Sequence, residues 1–147
     1  MEPVSEGVSK KARFSDDVLM QCAMLSQQSF KGATLYIVGL PIGNAADITL
    51  RALWVLDVCD VIACEDTRHS GLLLSRYGVK RPLMSYQKFN EQARVDELLA
   101  RLAKGEKIAV ISDAGTPGMS DPGYVILKAA VEAGLPVDVL PGATAFV

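Results

Sequence analysis

The sequence has 147 residues, of which 50% are hydrophobic and 22% are charged, and its formal net charge at pH 7 is −2. This balance excludes a disordered chain, which has few apolar residues, and a strongly basic nucleic-acid-binding domain, although it leaves room for a local basic patch. No apolar run approaches the roughly 20 residues of a membrane span, and the N-terminus has no apolar segment typical of a secretory signal.

The first 33 residues differ from the rest of the chain, because they are rich in charged residues, Ser and Gln and contain no strand-like run. A short helix opened by Ser15 fits them. Its apolar side would consist of Phe14, Val18, Leu19, Cys22 and Leu25. The pattern predicts either a mobile extension with a nascent helix or a helix docked onto the following domain.

From Thr34 onward, short apolar runs alternate with helical patterns. The apolar runs predict five strands, at residues 34–40, 60–64, 82–86, 107–112 and 136–140. The intervening helices are predicted to begin at Asp47, Thr67, Asn90 and Asp121 and to end at or near Asp57, Gly78, Gly105 and Gly134. This alternation predicts an α/β domain over residues 34–147, with a five-stranded, mostly parallel sheet flanked by helices. Because the sequence stops directly after a strand, we expect it to be a fragment cut at a domain junction, with a C-terminal domain missing.

The three cysteines, Cys22, Cys59 and Cys64, are odd in number and have no metal-ligand spacing. This predicts buried free thiols in a reducing cytoplasm, and no other residues suggest a metal site.

Parallel α/β sheets bind ligands beyond the carboxyl ends of their strands, so the segments that follow the strands form the candidate site. The first, GLPIGN at 39–44, matches neither the dinucleotide nor the P-loop pattern, and a tight turn explains it equally well. The longest, SDAGTPGMSDPG at 112–123, combines glycines, prolines and hydroxyls, which predicts a shaped loop with exposed amides for the polar parts of a small ligand. The last, PGATA at 141–145, has small side chains that leave room for a flat ring, or it is a plain linker.

Five polar residues follow the second strand, namely Glu65, Asp66, Thr67, Arg68 and His69. A carboxylate here would accept a hydrogen bond from a ribose hydroxyl, and Arg68 would bind a phosphate. Alternatively, Asp66 or Thr67 only caps the next helix. Tyr86 and Asn90, at the tip of the third strand, are expected to reach the same cleft.

Four blocks occur along the chain in the order GLPIGNAADITLRAL, CEDTRHSGLLL, ISDAGTPGMSDPG and LPGATA. Together they resemble the methyltransferases of the tetrapyrrole methylase fold, and within these the branch that methylates a cytidine 2′-hydroxyl of small-subunit (16S) ribosomal RNA. The resemblance covers residues 34–147. The EDTR string favours this branch, because porphyrin and corrin methylases carry a loop built on Gly-Asp-Pro at that place.

The resemblance implies that the chain is the N-terminal domain of an enzyme that binds S-adenosylmethionine in a cleft between two α/β domains. The cofactor-binding residues that it implies are Pro41, Ser112, Asp113, Ala114, Gly115, Thr116, Ser120, Pro141, Gly142, Ala143 and Thr144. The EDTR string lies on the nucleic-acid side of the cleft, and the substrate-binding candidates there and on the third strand are Arg68, Thr67, Tyr86 and Asn90.

A ribose hydroxyl is a poor nucleophile, so a base that removes its proton would assist methyl transfer, and Asp66 or Glu65 is the candidate. The partners implied are small-subunit ribosomal RNA or the ribosomal subunit, and a second copy of the chain in a homodimer, with no membrane. Two alternatives stay open, a methylase of a tetrapyrrole precursor and a non-catalytic ligand-binding fragment. We expect the isolated chain to bind S-adenosylmethionine weakly and not to methylate RNA, because half of the cleft is missing.

Overall fold

The computed structural model describes residues 16–26, 32–111 and 122–142 of the chain. The described helices are α1 (Asp16–Ser26), α2 (Leu50–Val58), α3 (Thr67–Arg76), α4 (Glu91–Ala103) and α5 (Pro122–Glu132). The described strands are β1 (Thr34–Val38), β2 (Val61–Cys64), β3 (Leu83–Ser85), β4 (Lys107–Ile111) and β5 (Val137–Leu140). Two short 3-10 turns, Ala45–Asp47 and Lys88–Asn90, lie in the loops after β1 and β3. Across these ranges, we find no helix with the length and apolar character that a membrane crossing requires.

The five strands form one sheet in the order β3-β2-β4-β1-β5, and every neighbouring pair is parallel. This confirms the predicted α/β architecture. Consecutive strands are joined through helices, as parallel pairing requires. The first strand of the sheet, β1, lies between the last two, β4 and β5, while β2 and β3 occupy the other side.

Side chains of the strands pack on both faces of the sheet, which explains why the strands are continuous apolar runs. On β1, Tyr36 and Val38 belong to the apolar cluster beneath α2 and α3, whereas Leu35 and Ile37 belong to the cluster beneath α4 and α5. Four of the five β1 residues are buried. At roughly 1.5–3 kcal/mol for each large buried side chain, these two clusters supply the main driving force for the fold.

The N-terminus of α2 differs from the sequence prediction. The Thr49 side chain caps this helix by accepting a hydrogen bond from the Ala52 amide at 3.0 Å. Asp47 instead ends a separate 3-10 turn, which is capped by Asn44. Asp and Thr are both good N-caps, so the sequence allows the helix to begin after either residue. The 3-10 turn occupies Asp47, and the helix therefore begins after Thr49. The predicted strand ends differ from the observed ones by one or two residues.

The predicted N-terminal helix is present as α1, and it packs against α2. Cys22 on this helix is buried, with 5% of its surface exposed. Leu25, which we expected on the same side, is exposed together with Met20 and Met24. All three cysteines are buried and free, as predicted. Burial raises the pKa of the Cys59 thiol to about 12, so this group stays uncharged at neutral pH.

Candidate functional site

The carboxyl ends of the five strands lie level with one another. At this end of the sheet, Ser85 pairs with Cys64, and Val38 pairs with both Ile111 and Leu140. The last pair between β2 and β4 lies one position earlier, at Ala63 and Val110. The segments that follow these residues therefore begin side by side along one edge. Adjacent strands are about 4.8 Å apart, so the ends of β2 and β1, separated by β4, are roughly 10 Å apart. The topology thus aligns, along one edge, the strand ends that precede the segments selected in the sequence analysis.

The loops after β1 and β5 touch through their backbones at two glycines. A Cβ atom built on Gly142 would lie 2.8 Å from the Cα atom and 3.2 Å from the carbonyl oxygen of Gly39. The two loops are therefore in direct backbone contact at this point, with no room for a side chain on residue 142. Of the two flanking prolines, Pro41 is buried and Pro141 is exposed.

The loop after β1 is also held by a hydrogen bond from Tyr77, the residue that follows α3. The Tyr77 hydroxyl donates a hydrogen bond to the Ala45 carbonyl oxygen at 2.5 Å. Within the same loop, Gly43 has a φ of 91°, a left-handed conformation that glycine adopts at little cost. Burial raises the pKa of Tyr77, so its hydroxyl stays protonated and keeps this bond over the neutral range.

The loop after β2 is organised by Asp66, which is the N-cap of α3. One of its carboxylate oxygens, Oδ1, accepts hydrogen bonds from the Arg68 amide at 2.9 Å and the His69 amide at 3.2 Å. Asp66, Arg68 and His69 are exposed, whereas Glu65 and Thr67 are half-buried. Of the two residues that the sequence analysis considered as caps of this helix, Asp66 is the N-cap and Thr67 is the first helical residue.

The tips of β2 and β3 are joined by a polar network that the sequence analysis missed. The Gln87 side chain donates a hydrogen bond to the Glu65 carbonyl oxygen. The Asn90 side chain accepts a hydrogen bond from the Gln87 amide at 2.8 Å and donates one to the Ser85 hydroxyl at 3.2 Å. Arg94 donates a further bond to the Ser85 carbonyl oxygen at 2.9 Å. Asn90, predicted to bind substrate, thus has its side chain engaged in shaping the turn after β3.

Tyr86 also differs from the expectation. Only 2% of its surface is exposed, and its hydroxyl accepts a hydrogen bond from the Ile126 amide at 3.2 Å. It follows β3 directly, and its ring packs in the cluster beneath α4 and α5. A side chain enclosed in this way has no surface to offer a substrate, so we leave Tyr86 out of the proposed substrate-binding residues.

Ser70 is a further residue that the sequence did not single out. It lies on the buried side of α3 and is 1% exposed. Its hydroxyl has no hydrogen-bond partner among the residues that the structure describes. No pattern in the sequence distinguishes it from an ordinary helical serine.

Several predicted cofactor-binding residues lie outside the described ranges. They are Ser112, Asp113, Ala114, Gly115, Thr116, Ser120, Ala143 and Thr144. Their segments leave the sheet at the ends of β4 and β5, on either side of β1.

Comparisons with known proteins agree with this architecture. The family model of the tetrapyrrole (corrin/porphyrin) methylases matches residues 34–147. Among solved structures, a uroporphyrin-III-C-methyltransferase from Thermus thermophilus is similar, with a TM-score of 0.61 and 29% sequence identity. The similar region covers 76% of this chain and 48% of that one.

Curated relatives are more similar in sequence. A protein of Mycoplasmopsis pulmonis named ribosomal RNA small subunit methyltransferase I is 47% identical over 114 residues, which are 78% of this chain and 51% of that protein. A protein of the same name from Escherichia coli O157:H7 is 54% identical over 108 residues, 74% of this chain and 38% of the relative. The chain therefore spans about half of the first relative and less of the second.

Proposed function

The chain belongs to the tetrapyrrole (corrin/porphyrin) methylase family, and we propose that it is the N-terminal part of a methyltransferase that transfers a methyl group from S-adenosylmethionine to small-subunit ribosomal RNA. The observation that carries the proposal is the identity of 47% and 54% to proteins that bear this activity in their names. The region matched by the family model, residues 34–147, includes the row of strand ends described above. The finer proposal, from the EDTR and SDAGTPGMSDPG strings, is that the acceptor is a cytidine 2′-hydroxyl of 16S ribosomal RNA.

The cofactor-binding side of the site would be the edge formed by the ends of β4, β1 and β5. When bound, S-adenosylmethionine would supply an electrophilic methyl carbon, to which the nucleophile would bond in line as the bond to the sulfonium sulfur breaks and the sulfur leaves as a neutral thioether. The contact of Gly39 with Gly142 supports this placement, because it holds the loops after β1 and β5 together through their backbones at this edge. Pro41, Pro141 and Gly142 are the proposed binding residues within the described ranges. The others lie in segments 112–120 and 143–144.

The RNA side would be the tips of β2 and β3. Arg68 is exposed and suited to a phosphate, and half-buried Thr67 lies beside it. Both hydrogen bonds to the Asp66 carboxylate fall on Oδ1, so we assign Oδ2 as the atom that accepts the proton of the ribose hydroxyl. Glu65 is the second candidate base. Its position is fixed through its carbonyl oxygen by Gln87.

Calorimetric titration with S-adenosylmethionine, of this chain and of a version extended to the length of its relatives, tests the cofactor assignment. We expect weak binding by the chain and tight binding by the extended version, which would then methylate 16S ribosomal RNA. Binding by neither protein would refute the assignment.

The base is tested in the extended version with Asp66→Asn, because asparagine caps a helix as well as aspartate does. We expect unchanged thermal stability and cofactor affinity, and a rate of methyl transfer that is lower by about 10²–10⁴-fold. Asp66→Ala is the matched variant that removes the cap as well and costs about 1 kcal/mol of stability. An unchanged rate for Asp66→Asn would remove Asp66 from the mechanism, and Glu65→Gln would then be examined.

A tetrapyrrole precursor is the second candidate substrate, because the similar solved structure is a uroporphyrin-III-C-methyltransferase. Methyl transfer to such a precursor, with none to RNA, would favour it. A homodimer and a cytoplasmic location belong to our proposal as well, and light scattering of the extended version tests the first.

A further inference from the structure

Phe89 is the most exposed large apolar side chain among the described residues, with 83% of its surface accessible. The described aromatic residues of the core differ sharply from it, since Trp54, Tyr36 and Tyr77 are between 3% and 8% exposed. A single exposed apolar residue is common on protein surfaces and carries no meaning by itself. The significance of Phe89 depends on how the ring is held and where it lies.

The turn that carries Phe89, Lys88–Asn90, is fixed on both sides of the ring. The Asn90 amide donates a hydrogen bond to the Gln87 carbonyl oxygen at 3.1 Å, and the Gln87 amide donates one back to the Asn90 side chain. This reciprocal pair closes the turn, and the Gln87 side chain ties it to the loop after β2. The ring is therefore presented to the surface by a backbone that has little freedom, and ordering it on binding costs little entropy.

The position of the ring matches the proposed RNA site. The turn begins three residues after β3, and the end of β3 pairs with the end of β2. The loops after both strands leave the same edge. Lys88, in the turn itself, and Arg68, in the first turn of α3, are both exposed, so cations for phosphates occur in the segments that follow both strands. Proteins bind single-stranded RNA by stacking bases on exposed aromatic rings and pairing phosphates with nearby cations.

We propose that Phe89 is a stacking platform for an unpaired base of the RNA substrate, next to the nucleotide that is methylated. This inference rests on the proposed function. The occupant is an RNA base rather than a protein surface, because a lone exposed ring, with Lys88 next to it in the chain and Arg68 exposed after the neighbouring strand, offers too little apolar area for a stable protein interface.

The first test compares affinities for a single-stranded RNA of roughly ten nucleotides with a central cytidine, measured by fluorescence anisotropy. Phe89→Leu keeps an apolar side chain but loses the π-face, and we expect binding about 5- to 150-fold weaker. Phe89→Tyr should restore it. The slope of log affinity against log salt should be unchanged in Phe89→Leu, whereas Lys88→Gln should reduce it by about 0.7, the value of one phosphate contact on a single strand.

The second test reads stacking directly. The natural tryptophan, Trp54, is 8% exposed and supplies a constant background. Phe89→Trp should show fluorescence quenching when the same RNA is added. Val131→Trp is the matched control, because Val131 is 59% exposed but lies near the end of α5, at the opposite edge of the sheet. It should show no quenching.

Equal RNA affinity of Phe89→Leu and the unsubstituted chain would overturn the proposal and leave the proposed function intact. Loss of self-association in Phe89→Leu, at unchanged RNA affinity, would likewise overturn it, since the ring would then be a contact between copies. If the version extended to the length of its relatives binds no RNA in the anisotropy assay, the stacking proposal falls, and the RNA part of the proposed function is contradicted as well.

Discussion

Replacing Gly142 by alanine tests the backbone contact that shapes the proposed cofactor edge. The new Cβ atom would lie 2.8 Å from the Gly39 Cα atom and 3.1 Å from its carbonyl carbon. Non-bonded carbon atoms are at their best distance near 3.5–4.0 Å. The neighbour is backbone in a loop anchored by β1, so relief requires the two loops to move apart rather than a side chain to rotate.

The magnitude follows from two opposing effects. Overpacking of this kind costs about 1–3 kcal/mol. Gly142 has no left-handed φ, so alanine brings no backbone strain, and it lowers the entropy of the unfolded chain by an amount worth about 0.4–1 kcal/mol. We therefore expect a net loss of about 1–2 kcal/mol, or roughly 2–8 °C in Tm for a chain of this length. Cofactor affinity of the extended version should fall too, because the loops are displaced.

Gly71→Ala is the matched control for this substitution. Gly71 lies inside α3, and a Cβ atom there would be 3.5 Å from the Leu83 Cδ1 atom, an ordinary contact. Alanine inside a helix is more favourable than glycine by roughly 0.5–1 kcal/mol, so this variant should be more stable. Thermal and urea unfolding should thus give opposite signs for the two variants. A Gly142→Ala protein that unfolds at or above the temperature of the unsubstituted chain would refute the reasoning.

Three further predictions concern buried polar groups. Tyr86→Phe should lower the free energy of unfolding by about 1 kcal/mol and speed hydrogen exchange at the Ile126 amide, because it removes the hydroxyl that accepts the hydrogen bond of this amide. The control, Tyr36→Phe, removes a hydroxyl from the opposite face of the sheet and should leave exchange at the Ile126 amide unchanged. Equal exchange rates in both variants would contradict the hydrogen bond. Ser70→Ala should raise the free energy of unfolding by about 1 kcal/mol, because it removes a buried hydroxyl without a described partner. A loss of stability would mean that the hydroxyl does have a partner. Because burial raises the pKa of Cys59 from its ordinary 9.0 to about 12, folding favours the neutral thiol, and its contribution to stability should be complete below pH 9 and be lost as the pH rises to about 12. Urea unfolding across this range should show a shallower decline for Cys59→Ala, and parallel curves would exclude the effect.

The fold was largely predictable because its signals are local. The three inner strands, β2, β4 and β1, are apolar runs buried on both faces, and the edge strands β3 and β5 are less buried. Each predicted helix occurs with its ends displaced by few residues. The helix ends at Gly78, Gly105 and Gly134 were predicted because these positions need a left-handed φ, which favours glycine. The start of α2 was harder to predict, because Asp47 and Thr49 are both good N-caps and only the 3-10 turn before the helix distinguishes them.

The places at which the candidate segments leave the sheet were predictable from the sequence, whereas the contacts of their side chains were not. The position of the EDTR segment follows from the parallel topology, whereas the link between Gln87 and Glu65 joins two strands that the sequence separates. Tyr86 was expected in the cleft, but an aromatic residue at a strand end can turn to either side, and packing beneath α5 decided it. Gly142 illustrates the same limit, because the need for glycine arises from contact with a residue about a hundred positions earlier.

The place of β1 in the sheet has a consequence for synthesis of the chain on the ribosome. Leu35 pairs with Ile108 on one side and Val137 on the other. At about 5–20 residues per second, the second partner is translated roughly 5–20 s after β1. Strands β2 and β3 can pair as soon as both are translated, whereas the apolar stretch TLYIV has no neighbouring strand until β4 follows, about 4–15 s after β1. Strand β1, which lies between β4 and β5 in the finished sheet, thus waits longest in the nascent chain for a first partner, and it is the segment for which binding by a chaperone would matter most.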